Sequence, residues 1–342
     1  MLAVMDNAPA MSSGPTTSVP AAPRSLGKGG TTVSAIGFGC WAIGGPHWRN
    51  GEPIGWGEVD DDESVAAIHA ALDAGITFFD TADVYGCGHS ERVLARALQG
   101  QSDDVVVATK FGYTYDGDRR ESPGTDASPG YVRRACEASL RRLGVEAIDL
   151  YQFHLGDADL DAAAAVRDTL EQLVDEGKIK AYGWSTDDPM RAAFFAEGAH
   201  CKAIQQSFNL LGGNTETLAV AEEQGLASVV RGPLGMGLLT GRMGRQTTFS
   251  ASDVRRGWNF AGPQGEQLDT LDRVRDILTA DGRTLAQGAL GWLLARSPAF
   301  VPIPGIRTVA QAQENAGAIA VGPLSDEQLA AIDAALRPAD RR

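Results

Sequence analysis

The chain has 342 residues, 43% hydrophobic and 22% charged, with a mean hydropathy of -0.15. That composition suits a protein able to bury a large core and excludes a disordered or fibrous one. Thirty Lys and Arg against 44 Asp and Glu leave a formal charge of -14, which repels phosphate backbones and argues against nucleic acid as a partner. No run of about 18 apolar residues occurs, so no membrane span is expected.

Residues 1–23 are rich in Ala, Pro, Ser and Thr and are expected to form a flexible tail. The tail has no basic stretch followed by an apolar one, so it does not read as a secretory signal. The four cysteines, Cys40, Cys87, Cys136 and Cys201, form no CxxC pair and suit free thiols in a reducing compartment. A cytoplasmic location is expected. His47, His69, His89 and His200 show no ligand spacing, so no metal is expected.

From Arg24 to Thr32 the glycines suggest a hairpin, and after it β-branched or aromatic runs alternate with Ala- and Leu-rich segments. The expected strands are Val33–Phe38, Ile76–Phe79, Val105–Thr109, Ile148–Phe153, Ile179–Trp184, Ala203–Phe208, Ala227–Arg231 and Phe300–Ile303. Helices are expected over Glu63–Ala74, Ser90–Gln99, Pro129–Leu143, Asp161–Glu176 and Thr284–Arg296, with an outer helix at Ser325–Leu336. Eight successive βα units predict an α/β fold, a (β/α)8 TIM barrel in a single domain over residues 24–342, rather than an open doubly wound sheet. Two connections, Gly112–Ser128 and Gly232 to about Gly265, follow strand ends and are too long for simple turns, which marks them as binding loops.

Gly37-Phe-Gly39-Cys-Trp-Ala42 fits the dinucleotide fingerprint GxGxxA, with acidic Asp60–Asp62 downstream. A Rossmann fingerprint must open a helix, whereas this chain continues Ile43-Gly44-Gly45-Pro46, which breaks one. The match is read as coincidental.

Catalytic residues of a barrel gather just past the apolar part of each strand. There stand Asp80, Lys110 and His154, with Tyr85 five residues beyond Asp80. Each alone has an ordinary explanation: a helix cap, a surface lysine, a hydrogen-bonded core histidine, a packing tyrosine. Together they are chemically coherent. A phenol of reference pKa about 10 needs help to act near neutrality, an ammonium lowers it, a carboxylate fixes the ammonium, and an imidazole can hydrogen-bond a carbonyl.

These residues sit in Phe79-Asp-Thr-Ala-Asp-Val-Tyr-Gly86, Thr109-Lys-Phe-Gly112 and Gln152-Phe-His154. They are followed by Gly183-Trp-Ser185, Gln205–Leu211, Gly232-Pro-Leu234 to Thr240-Gly-Arg242, and Ile303-Pro-Gly305 to Glu314-Asn315. In these motifs the chain resembles the aldo-keto reductases over roughly residues 24–336. The resemblance implies a (β/α)8 barrel, extended NADPH at its carboxyl face and reversible carbonyl reduction. It also implies a catalytic tetrad on Asp80, Tyr85, Lys110 and His154.

The resemblance further implies cofactor contacts at Gly39 and Trp41, with Ser185 and Gln205 on the nicotinamide carboxamide and Phe208 stacked on the ring. Pro233, Leu234, Gly235, Gly237, Leu239, Gly241 and Arg242 would lie along the pyrophosphate. Arg307, after Gly305, would grip the 2'-phosphate, and Gln311, Glu314 and Asn315 the adenosine. Substrate contacts are expected from Trp41, Trp48, Phe111, Trp258 and the two long loops. Two positions depart from the family pattern: Thr186 stands where Asn is common, and Gly232 where Ser is frequent. They bear on subtype more than on reaction class.

The expected activity is NADPH-dependent reduction of a small aldehyde or ketone to an alcohol, with Tyr85 as general acid. Three alternatives remain open: a ketosugar or specialised-metabolite ketoreductase, an NADPH-binding regulatory subunit, and a sugar-metabolising barrel without nicotinamide. Oligomeric state does not follow from the sequence.

Overall fold

Short strands that are apolar on both faces need cover on both sides, and the chain provides it by placing a helix after each. The computed structural model describes residues 19–101 and 105–337. Residues 1–18 of the expected tail lie outside the described residues. Of the remainder, the Ala21 amide already donates to the Ile319 carbonyl.

Eight strands form one sheet: β1 (Phe38–Gly39), β2 (Phe78–Asp80), β3 (Val106–Phe111), β4 (Leu150–Phe153), β5 (Tyr182–Ser185), β6 (Cys201–Asn209), β7 (Ala227–Arg231) and β8 (Phe300–Pro302). Each pairs in parallel with its sequence neighbour. The sheet closes where Gly37 and Gly39 donate to the carbonyls of Pro302 and Pro304 and Gly39 bridges Gly305 in parallel. The expected (β/α)8 barrel is the observed fold. Closure also explains the GxG motif. A Cβ on Gly39 would stand 2.6 Å from the Ile303 carbonyl oxygen, and one on Gly37 would meet Phe78 at 2.7 Å. These glycines let the first and last strands approach.

The crossover helices are α1 (Asp61–Asp73), α2 (His89–Leu98), α3 (Pro129–Leu143), α4 (Leu160–Asp175), α5 (Pro189–Ala196) and α6 (Thr215–Gln224), then α8 (Leu285–Arg296) and α9 (Val309–Val321). Two others, α7 (Pro263–Leu278) and α10 (Asp326–Leu336), lie outside the ring against α8. Many starts carry the cap their sequence calls for: Asp60, Ser128, Asp159 and Asn214 accept from first-turn amides, and Thr284 and Ser325 form full capping boxes. Each such cap is worth about 1 kcal/mol. No described helix is long and apolar enough to cross a membrane.

Side chains alternate across each strand. Phe78, Ala108, Leu150, Ala203, Val229 and Val301 fill the barrel with Leu26 and Val33, from the hairpin of Arg24–Ser25 with Thr32–Val33. The outward set, including Phe79, Phe111, Tyr151, Phe153 and Trp184, packs under the helices.

At the carboxyl face, the connection after β1 folds into a hairpin of Trp48–Arg49 with Glu52–Pro53, and the one after β3 into a hairpin of Tyr113–Asp116 with Glu121–Thr125. Trp48 pairs with Glu121, joining both into one four-stranded sheet. The second connection is the one expected from its length to be a binding loop; the first carries no such signal in the sequence.

Candidate active site

The barrel interior is apolar until its last layer, where inward positions of four strands carry Asp80, Lys110, Gln152 and Gln205. In the ladder Gln152 faces Lys110, and Asp80 faces Ala108. Lys110 Nζ donates to Asp80 Oδ1, to the Thr81 carbonyl at 2.8 Å and to Tyr85 Oη at 3.2 Å. Gln152 Nε2 and Gln205 Nε2 donate to Asp80 Oδ2 at 2.9 and 2.8 Å. The carboxylate thus accepts three donors in a layer sealed from solvent, which removes the penalty of burying it unpaired.

Tyr85 is carried by a tight segment after β2. Gly86 adopts φ +58°, and a Cβ there would lie 1.8 Å from the Gly44 carbonyl oxygen, so glycine lets the Tyr85 turn close against the turn after β1. Burial raises the Tyr85 pKa above the usual phenol value; Lys110 opposes the shift and Asp80 adds to it. This is opposite to the lowering by Lys110 expected from the sequence. Desolvation of the buried phenol is the largest influence, and Asp80 offsets part of the opposing Lys110 charge. Burial also acts against charge on Lys110, but Asp80 and Tyr85 outweigh it and its pKa is raised. His154 is driven well below the ordinary imidazole value, first by burial and then by Lys110, Arg231 and Arg49. Near neutral pH the layer therefore presents a protonated phenol, an ammonium and a neutral imidazole.

Above this layer opens a cavity of about 1120 Å3, larger than the usual small-ligand pocket and so roomy enough for a dinucleotide beside a substrate. Tyr85, His154, Gly39, Trp41, Ser185 and Gln205 line it, as do Pro233, Leu234, Gly235, Gly237 and Arg242. So do Gly305, Arg307, Gln311, Glu314, Asn315 and Trp258. The Arg307 guanidinium donates to the carbonyls of Trp56 at 3.2 Å and Glu58 at 2.6 Å. Arg242 pairs with Glu314 at 2.7 Å. The amides of Gly235 and Gly237 bond to the carbonyls of Gly232 and Leu234.

Five expected contacts lie elsewhere. Phe111 follows inward Lys110, so the pleat turns it outward, fully buried on Tyr151 with ring centroids 4.5 Å apart. Phe208 likewise follows Ser207, which lines the cavity, and packs on Phe300 at 4.9 Å and Trp292 at 6.1 Å. Leu239 is a core residue with Leu285 and Leu290, and a Cβ on Gly241 would meet Leu285 at 2.6 Å. Trp48 alternates with Arg49 in the hairpin, and only Arg49 reaches the cavity. At the departure noted in the sequence, the Thr186 hydroxyl donates to the Gly156 carbonyl at 2.8 Å.

Gln152, Arg231, Arg49, Tyr113 and Trp56 also belong to the site without being expected from the sequence. Arg231 ends β7 and obeys the strand-end rule that singled out Lys110. Gln152 stands two residues before His154, one full strand period. Arg49 and Tyr113 come from the hairpins, and Trp56 from the segment after the first one, where it bridges Asp253; no local pattern announces these pairings.

The model of the aldo/keto reductase family matches residues 35–337. A probable aldo-keto reductase from Glycine max is 33% identical over 314 residues, covering 90% of this chain and 86% of that protein. Among solved structures, a glycerol dehydrogenase from Gluconobacter oxydans superposes with a TM-score of 0.80 at 34% identity, covering 94% of this chain and 98% of that one. An aldo-keto reductase from Klebsiella pneumoniae in complex with NADPH gives a TM-score of 0.67 at 28% identity, covering 94% and 97%.

Proposed function

Because the chain belongs to the aldo/keto reductase family and takes that family's NADPH, we propose that it reduces a small aldehyde or ketone to an alcohol, with Tyr85 as general acid. The observation that carries this reading is the buried Asp80–Lys110–Tyr85 chain, which ends with a phenol on the cavity wall beside His154. NADPH, when bound, supplies the hydride.

The residues of the cavity fit that cofactor by their chemistry. Arg307 and Arg242 are cations suited to phosphates, Gln311 and Asn315 offer amides, and Ser185 offers a hydroxyl near the tetrad strands. In this reading Ser185 and Gln205 meet the carboxamide, and Arg307 meets the 2'-phosphate.

The chemistry assigned to the protein is proton delivery and orientation. His154, kept neutral, donates a hydrogen bond to the substrate carbonyl oxygen and fixes it near Tyr85 Oη. As the oxygen gains negative charge, Tyr85 passes its proton to it. The resulting phenolate is stabilised by the Lys110 ammonium, which Asp80 holds in place. The ammonium therefore favours the deprotonated acid at the moment it forms, even though the resting phenol has a raised pKa.

The test is loss of reduced-nicotinamide absorbance across aldehydes, ketones and ketosugars, with NADPH binding followed by fluorescence. Turnover of a carbonyl supports the reading. Tight NADPH binding without turnover of any panel member counts against it and favours a regulatory subunit.

A further inference from the structure

Five arginines line the cavity: Arg49, Arg231, Arg242, Arg255 and Arg307. Three are matched by carboxylates: Arg231 by Asp187, Arg242 by Glu314 and Arg255 by Asp253. Arg307 is held by two backbone carbonyls. Arg49 pairs with no carboxylate among the described residues, and its Nε is buried without a hydrogen-bond partner. The acid opposite it in the hairpin, Glu52, is turned to Arg256.

The unmatched guanidinium is nonetheless held in place. Its central carbon lies 4.1 Å from the centroid of the Tyr113 ring, and that ring meets His154 edge-on at 5.2 Å. The Trp48 amide donates to the Arg120 carbonyl at 2.9 Å, which ties the Arg49 hairpin to the one that carries Tyr113. Arg49 thus stands one ring away from the imidazole assigned to the substrate carbonyl, and it lines the same cavity as Trp41, Trp56 and Ile54. A half-buried cation without an anion, packed on an aromatic face, has most to gain from an oxyanion that arrives with the ligand.

We infer that Arg49 is a specificity-determining residue that selects carbonyl substrates bearing an oxyanion, a carboxylate or a phosphate, a few bonds from the reacting carbonyl. The inference rests on the reductase reading above and names its substrate class. Bidentate hydrogen bonding from the guanidinium holds the acid group, while His154 and Tyr85 meet the carbonyl oxygen.

Matched pairs test it in the NADPH-loaded enzyme: succinic semialdehyde against butanal for a carboxylate, and glyceraldehyde 3-phosphate against glyceraldehyde for a phosphate. The wild type is expected to prefer the charged member of at least one pair by about 10- to 100-fold in kcat/KM, and that pair identifies the oxyanion. Arg49→Met should collapse the preference, chiefly through KM, while Arg49→Lys restores part of it. A preference near unity in both pairs, or one unchanged in Arg49→Met, overturns the inference.

Should neither pair be reduced, thermal shifts of the NADP-loaded protein with succinate and with glycerol 3-phosphate decide the matter separately from the reductase reading. A shift present in the wild type and absent in Arg49→Met supports the anchor. No shift from either anion refutes it.

Discussion

Lys110 and Asp80 are 0% and 2% exposed at the side chain, and the pair lies at the centre of the polar layer. Lys110→Met removes the cation at nearly constant volume and leaves the Asp80 carboxylate buried beside an apolar chain. Breaking a buried ion pair from one side costs about 3–5 kcal/mol. Asp80 keeps Gln152 and Gln205 as donors, so the loss should fall at the lower end, about 3 kcal/mol. The double variant Asp80→Asn/Lys110→Met leaves no buried charge in the layer and should recover about 2 kcal/mol of that loss, since closely coupled residues depart from additivity by this order. Denaturant unfolding of the wild type, both single variants and the double variant at neutral pH measures the coupling. A loss below about 1 kcal/mol in Lys110→Met would refute the argument, because an uncompensated buried carboxylate cannot be that cheap. So would a double variant that loses the sum of the two singles.

Arg307→Ala removes the guanidinium assigned to the 2'-phosphate, and KM for NADPH should rise about 10- to 100-fold with little change for NADH; an unchanged cofactor preference would reject the assignment. His47 is 2% exposed, and burial, with Arg49 and Arg120, pushes its pKa down to about 4. Its folded pKa lies below the unfolded value of about 6.5, so the stability it affects is present above that value and is lost as pH falls toward about 4. Between about pH 7.5 and about pH 4.5 the wild type should lose about 2.5 kcal/mol more than His47→Gln. Equal losses in the two proteins, read by denaturant unfolding, would show that His47 is not buried neutral.

The barrel and the clustering of Asp80, Lys110, Tyr85 and His154 at its carboxyl face were legible because both depend on local order. Eight apolar runs with helical segments between them specify the sheet, and an ionisable residue directly after such a run falls on the carboxyl face whatever the loops do. The same rule extends to Arg231, and strand alternation extends it to Gln152. Ignoring that alternation misplaced Phe111 and Phe208: a residue adjacent to an inward side chain points outward, so Lys110 and Ser207 exclude their neighbours from the cavity. Arg49, Tyr113 and Trp56 were not legible. Arg49 and Tyr113 reach the site through pairing between two loops far apart in sequence, Trp48 with Glu121, and Trp56 through its bridge to Asp253; neither pairing leaves a periodic trace in the loops.

Tyr85→Phe tests the central claim most directly, because it removes one oxygen and leaves the ring beside Lys110 and His154. The account predicts NADPH binding within about twofold of wild type and carbonyl turnover reduced by at least about 100-fold, the usual contribution of a positioned general acid. Near wild-type turnover with NADPH still bound would contradict it and remove Tyr85 from the chemistry.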